Sequence, residues 1–421
     1  MTSRAVLRAR APLRVSFAGG GTDVAPFPAM EGGVVLSSTI NRYAYATLRP
    51  RHDGSVTVRS LDYGESVDFG VEDPVVFDGR LDLPKAAIAR VRLLHDALPA
   101  SGFDLFLHTN APPGSGLGSS SAVVVNVLAL VARHCGMDLT PHELAEAACR
   151  LERDDLGIPG GLQDQYAAAF GGFNFMEFHA ERVVVYPLRV AEATLHELEH
   201  NMLLAYMGQP RVSDHIIQDQ ISRFTGHDAD AIAGMRAQKE IAHAMKEALL
   251  RGEVSDFGDL LGQAWRQKQR MSDRISNPAI DEAVELALSA GALGAKVTGA
   301  GGGGHLALVC EFERKHLVAE TLIGLGMTVS EFTFSRQGVT TWRAASSRPR
   351  PAPPWWPPSP AGPPPPGAAG GPGPADPPPA AQPQRLGHAG VLPLGALDLF
   401  HLRGRQHGAT TGENRVDRLV F

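Results

Sequence analysis

The 421 residues carry 43% hydrophobic and 20% charged side chains, ordinary proportions for a soluble globular protein with a core of good size. A net charge of −6 and a pI near 6.2 provide no basic field for nucleic acid, so an anionic ligand would need local Arg, Lys, metal or helix-end sites. Three cysteines without pairing or metal spacing point away from a disulfide framework and from zinc. The basic N-terminus lacks the apolar core of a signal peptide, and no run approaches a membrane span, so the expectation is a cytoplasmic, soluble protein.

In chain order, Leu13 to Ala18 and Tyr43 to Leu48 are short β-rich runs. Ser55 to Ser60 and Phe103 to His108 alternate apolar and polar, as half-buried strands do. Ser119 to His134 predicts a buried helix. Thr140-Pro-His-Glu143 predicts the next one, with Thr140 as N-cap, Pro141 at the first helical position and Glu143 completing a capping box, and a run to about Arg153. Met202 to Met207 reads as a strand, and Ala229 to Arg251 and Glu253 to Met271 as amphipathic helices. Pro278 to Ala290 is a further helix ending at Gly291. Gly294 to Val297 and His305 to Glu311 read as strands flanking a glycine loop, and Val329 to Phe334 as the last strand. The layout is α+β, with mixed sheets backed by helices. Beyond Arg343 the character changes, since 17 of the 32 prolines fall between Pro349 and Pro383. Residues 344–421 therefore read as a disordered, proline-rich tail.

Three glycine segments carry the chemistry. Pro112 to Ala122 reads Pro-Pro-Gly-Ser-Gly-Leu-Gly-Ser-Ser-Ser-Ala and leads directly into the apolar helix. Glycines at alternate positions let backbone approach an anion, and the serines stand where unpaired N–H groups and the helix dipole converge. No Lys-Ser or Lys-Thr follows, so this is not a Walker loop. Alone, the segment equally fits a Gly-Ser loop that merely caps a core helix. Arg14 to Asp23 and Lys296 to Gly304 are the other two. The latter matches Gly-x-Gly-x-x-Gly, but a strand follows where a dinucleotide fingerprint would open a helix. The 16 histidines show no metal-ligand spacing.

Taken together and in this order, the three segments resemble the signature motifs of the GHMP kinases, the superfamily of galactokinase, homoserine kinase, mevalonate kinase and phosphomevalonate kinase. The resemblance is closest to the branch that phosphorylates heptose 7-phosphate at the anomeric oxygen. Ala11 to Asp23, Gly161 to Gly172 and Phe332-Thr-Phe334 support it, and it covers residues 8 to 343. It implies a two-lobed fold, with an N-terminal lobe over residues 1–190 and a C-terminal lobe over 191–343. It also implies ATP and a sugar phosphate as ligands, with Mg2+, and it allows a homodimer.

By this resemblance ATP would lie on Pro113, Gly114, Ser115, Gly116, Leu117, Gly118, Ser119 and Ser120. Mg2+ would meet Ser120 and Glu152, with Ser121 leaving a shift of one position open. Asp164 would be the base and Arg14 its basic neighbour at the attacked oxygen. Gly20, Gly21, Thr22, Asp23, Gly161, Gly301 and Gly302 would line the acceptor site. Three successive glycines, where galactokinase has Gly-Glu-His, would leave room for a larger or phosphorylated sugar. Arg211 suits the substrate's own phosphate. Each has a plainer reading: Glu152 as a solvated acid, Asp164 as a helix cap, Arg14 as a surface charge, Arg211 as a structural ion pair. A fucose- or galactose-type 1-kinase and a non-catalytic sugar sensor are the competing functions, and the joint presence of Asp164, Glu152 and Ser120 argues against the sensor.

Overall fold

The computed structural model describes residues 5–94, 101–208 and 213–344. Arg211 and almost all of the proline-rich tail, residues 345–421, lie outside the described residues. In chain order the elements are β1 (Leu7–Ala18), α1 (Phe27–Glu31), β2 (Gly33–Pro50), β3 (Ser55–Ser60), β4 (Glu65–Gly70), α2 (Asp82–Leu94), β5 (Phe103–Thr109), α3 (Ser119–His134) and α4 (Pro141–Arg150). There follow α5 (Gln163–Phe170), β6 (Phe173–Phe178), β7 (Val183–Pro187), α6 (Glu192–Asn201), β8 (Met202–Tyr206), α7 (Ser213–Thr225), α8 (Ala229–Arg251) and α9 (Val254–Gln269). The last are α10 (Pro278–Ala290), β9 (Ala292–Val297), β10 (His305–Cys310), α11 (Lys315–Gly324), β11 (Thr328–Ser330) and β12 (Thr340–Arg343).

Among the described residues these strands form two sheets. The first has eight strands in the order β12-β1-β2-β5-β3-β4, with β6 and β7 added beside β2. The length of β2 makes this possible: Gly33 to Ser38 pair with β6, whereas Ala44 to Pro50 pair with β5. Opposite β2, β1 bends at irregularities after Pro12 and Ser16 yet stays paired to Ala18, which delivers the chain to the loop at Gly19. The second sheet is antiparallel, in the order β11-β8-β10-β9. The fold is mixed α and β, as the sequence predicts.

The longest apolar run became the central helix. In α3, Val124, Val125, Val127, Leu128, Leu130 and Val131 are fully buried, each worth about 1.5–3 kcal/mol relative to exposure. Asn126, the polar exception, donates to the Ala44 carbonyl at 3.1 Å and so ties the helix to β2. Helix α4 starts as expected: Thr140 Oγ1 accepts from Glu143 N at 3.3 Å, and Thr140 N donates to Glu143 Oε2 at 2.7 Å. Across the molecule, Phe17 of β1 meets Phe257 of α9 edge-on at 5.1 Å, and buried Lys296 of β9 donates to Ser16 O at 2.7 Å. The second sheet is thereby fastened to β1.

Two expected elements end differently. The α-helix opened by Thr140 stops at Arg150, and Leu151–Asp155 widen into a π-turn. The last strand is not Val329 to Phe334 but β12. After β11 the chain crosses back to the first sheet, where Phe334 N donates to Glu199 Oε1 at 2.6 Å and Ser335 N to Thr39 O at 2.9 Å. No helix among the described residues is long and apolar enough to cross a membrane.

Candidate active site

The loop before α3 turns three times through left-handed glycines, with φ of 70° at Gly114, 82° at Gly116 and 74° at Gly118. Gly118 is the N-cap and supplies no side-chain hydrogen bond, so the first-turn N–H groups of α3 are left for a ligand. The third glycine segment props this loop from beneath: His305 N donates to Ser115 O at 3.0 Å, and a Cβ on Gly304 would stand 2.5 Å from that oxygen. Gly114, Gly116, Gly118, Ser119 and Ser120 line a cavity of about 200 Å³. Ser115 and Leu117 face inward instead, both fully or almost fully buried.

Arg14 joins the cradle to Asp164. Its Nε donates to Asp164 Oδ1 at 2.7 Å, its Nη2 to Oδ2 at 2.8 Å and its Nη1 to Gly116 O at 2.6 Å. Arg14 is 4% exposed, which rules out the surface-charge reading. Asp164 lies in the first turn of α5, whose N-cap is Leu162, so it is not the helix cap either. Its carboxylate faces the cavity.

Glu152 is 4% exposed, which overturns the solvated-acid reading. The π-turn aims it inward. Gln165 Nε2 donates to Glu152 Oε1 at 2.8 Å and to Ser121 Oγ at 3.1 Å, so one amide links the two side chains. Burial pushes the Glu152 carboxyl above the usual carboxylate range, opposed by Arg153, Gln165 and Ser121. Ser121 is thus tied to Glu152 through Gln165, while Ser120, also on the cavity wall, is exposed. Among the described residues no cluster of three His, Cys, Asp or Glu side chains could hold a metal alone. A hydroxyl and a carboxylate facing a phosphate cradle nonetheless fit Mg2+, a hard cation that takes few protein ligands and fills its shell with phosphate and water.

At the other end of the cavity Asp23 is fully buried and accepts from Gly21 N at 3.0 Å and from Gln163 N at 3.1 Å. Gly161 is a glycine for this reason, since a Cβ there would lie 2.0 Å from Asp23 Oδ2. Arg153 holds that turn in place, donating to Ile158 O at 2.8 Å and Gly161 O at 2.7 Å. Several expected acceptor residues are elsewhere. Thr22 is fully buried and bonds Gly19 O and Val34 O, closing the turn rather than facing the cavity. Gly301 and Gly302 pack on Ile275 and Ile216, and Gly299 and Ala300 take their place on the cavity wall. Nor do the glycines after β1 leave open room. A Cβ on Gly21 would strike Met271 at 2.2 Å, and one on Gly20 would meet Ser16, Gln163 and Lys268 side chains.

Residues 82–172 match the GHMP kinases N terminal domain, and residues 245–323 match the GHMP kinases C terminal domain. The D-glycero-alpha-D-manno-heptose 7-phosphate kinase of Campylobacter jejuni is 36% identical over 338 residues, 80% of this chain and 99% of that one. The chain belongs to the GHMP kinases. The crystal structure of a D-glycero-D-manno-heptose 1-phosphate kinase from Bacteroides thetaiotaomicron superposes with a TM-score of 0.69 at 34% identity, covering 81% of this kinase and all of that chain. Lactococcus lactis galactokinase in complex with galactose, at 18% identity and a TM-score of 0.63 over 81% of this chain and 96% of its own, shares the fold.

This GHMP kinase has a second cavity of about 460 Å³ that shares Ser119 and Ser120 with the first. Its wall is largely apolar, with Tyr63, Leu81, Leu107, Val123, Leu156 and Ile158, and Pro113 lies at its edge. Sequence reasoning passed over this cavity because β3, β5, α2 and α3 each contribute only one to three residues to it. It also passed over Gln163, Gln165, Gln220 and Lys268. The two glutamines beside Asp164 stood within the quoted motif and were the one available signal.

Proposed function

We propose that this GHMP kinase transfers the γ-phosphoryl group of ATP to the anomeric hydroxyl of D-glycero-D-manno-heptose 7-phosphate. The observation that carries the reading is the Arg14–Asp164 pair, hydrogen-bonded at 2.7 and 2.8 Å and set against the glycine cradle. It puts a proton acceptor and an anion site on one cavity. The identity of 36% to the Campylobacter enzyme over nearly all of that chain supports the choice of sugar.

The apolar second cavity suits a flat nucleotide base, with the triphosphate running across Ser119 and Ser120 onto Gly114 to Gly118. The O–P bond forms at the anomeric oxygen as the bond to the ADP oxygen breaks, and the hydroxyl proton leaves to Asp164. Arg14 balances Asp164 and the incoming γ-phosphate. Mg2+, held by Ser120 and Glu152, would neutralise charge on the β- and γ-phosphates. Asp23, Gly21 and Gly161 form the acceptor site, and Arg211 holds the substrate's phosphate. We take the lobes to be residues 1–190 and 191–343, and the reaction to be cytoplasmic, where ATP is supplied. A reaction that activates sugar 1-phosphates with a nucleotide would consume the product.

A panel of sugars and sugar phosphates, with the new phosphate located by phosphorus NMR, tests this. Heptose 7-phosphate should be used far better than free heptose, galactose or fucose, with the new phosphate on the anomeric carbon. Equal use of free and phosphorylated sugars defeats the reading.

A further inference from the structure

The glycines Gly20 and Gly21 bring side chains from distant elements onto the acceptor wall, and two of these have an unmet hydrogen-bonding need. Gln220, on α7, is 2% exposed, and its Oε1 would lie 3.3 Å from a Cβ on Gly21. It lines the cavity, and its Nε2 finds no hydrogen-bond partner among the described residues. Gln163 is 8% exposed and also lines the cavity. Its Nε2 donates to Asp23 Oδ2 at 3.1 Å, which fixes the amide orientation, and its Oε1 is buried without a partner among the described residues. Lys268 of α9 borders the same wall, 2% exposed and donating to Gly299 O at 2.7 Å.

A buried amide atom left unpaired costs about 1–3 kcal/mol, so two on one cavity wall call for a ligand that satisfies both. One is an acceptor and the other a donor. A phosphate group has mainly acceptor oxygens to offer, whereas a sugar's hydroxyls both donate and accept. We propose that Gln163 and Gln220 recognise the hydroxyl groups of the acceptor sugar, Gln163 Oε1 receiving a hydroxyl hydrogen and Gln220 Nε2 donating to a hydroxyl oxygen. In this kinase, recognition that a side chain after β1 could supply comes instead from α5 and α7, and Gly20 and Gly21 are what admit it. The proposal rests on the reading of this end of the cavity as the acceptor site.

The test is Gln220→Leu, with acceptor and ATP affinities measured separately by calorimetry on the full chain. Because Nε2 has no partner among the described residues, the melting temperature should stay level or rise. Acceptor affinity should fall by about 5- to 10-fold, with ATP affinity unchanged. The factor should be the same for heptose 7-phosphate and for free heptose, since both carry the ring hydroxyls. Unchanged acceptor affinity overturns the proposal, and so does a loss confined to the phosphorylated sugar, which would assign Gln220 to the phosphate. If Gln220→Leu does not fold, Gln220→Glu keeps the shape, removes the donor and should show the same loss. If the wild-type protein prefers another sugar, the proposed function fails, and the Gln220 measurement is made on that preferred sugar.

Discussion

Arg14 and Asp164 lie 150 residues apart and meet through two parallel hydrogen bonds, Nε to Oδ1 and Nη2 to Oδ2. The same guanidinium reaches the Gly116 carbonyl at 2.6 Å. One cation therefore sets the distance between the glycine cradle and the carboxylate proposed as the proton acceptor. A bidentate contact of this kind fixes orientation as well as charge, and neither partner could move without disturbing the other.

Asp164→Asn keeps the shape of the side chain but removes its charge and basicity. Turnover should fall by about 10²- to 10⁴-fold, and the melting temperature should fall as well, because Asn leaves the buried Arg14 guanidinium without its counter-charge and with one acceptor oxygen in place of two. A steady-state assay checks this, and a loss below about tenfold would reduce Asp164 to an orienting group.

Gly118→Ala tests how closely the cradle is fitted to the pair. A Cβ there would stand 3.2 Å from the Asp164 carboxylate and 3.4 Å from Arg14 Cγ, at a φ of 74°. Gly136 has a similar φ of 81° with nothing within 4 Å of its Cβ position, so Gly136→Ala carries the backbone strain alone. Both variants should lose about 1–2 kcal/mol of stability. Only Gly118→Ala should lose turnover, by up to about 100-fold. Equal activity in the two would show that the pair tolerates displacement.

Much of this was legible in local sequence, and the rest depended on contacts between distant residues. Helices α3, α8 and α10 match their predicted limits, because caps, apolar spacing and terminal glycines act within a few residues. Strand β12 was not legible, since a four-residue run becomes a strand only through its pairing with β1. Glu152 looked solvated among its charged neighbours, and only the π-turn carries it inward. The glycine motifs were plain, but their causes were not. Gly161 answers to Asp23, and Gly21 to Met271, which is 250 residues away.

The serines at the start of α3 should separate by role. Ser120→Ala should raise the Mg2+ concentration needed for half-maximal turnover and leave the acceptor KM unchanged. Ser121→Ala should also lower stability, by about 0.5–1.5 kcal/mol, because Ser121 accepts from the Gln165 amide that also holds Glu152. Metal titrations and thermal melts on the two variants check this, and a metal defect confined to Ser121→Ala would shift the assignment by one position.

Acid sensitivity should be traceable to Asp104. Burial disfavours its charged form, but hydrogen bonds from Arg49 and Arg51 outweigh this and hold its carboxyl below the ordinary 3.8. A depressed carboxylate adds stability above that value and loses it as the pH falls through the folded-state pKa. Arg49 is 61% exposed, so solvent screens the pair and the contribution is about 1 kcal/mol. Asp104→Asn should melt lower than wild type at pH 7, and the two melting curves should converge below about pH 4.

Strand β12 pairs with β1, matching Leu7 with Arg343 and Arg10 with Thr340. On the ribosome, the strand that covers the edge of β1 is therefore made more than 300 residues after β1 itself. Throughout that interval the nascent chain carries an open β edge, the kind of surface on which neighbouring chains join. Arg8 and Arg10 lie along it, and their charges repel an identical edge while the partner is still being synthesised.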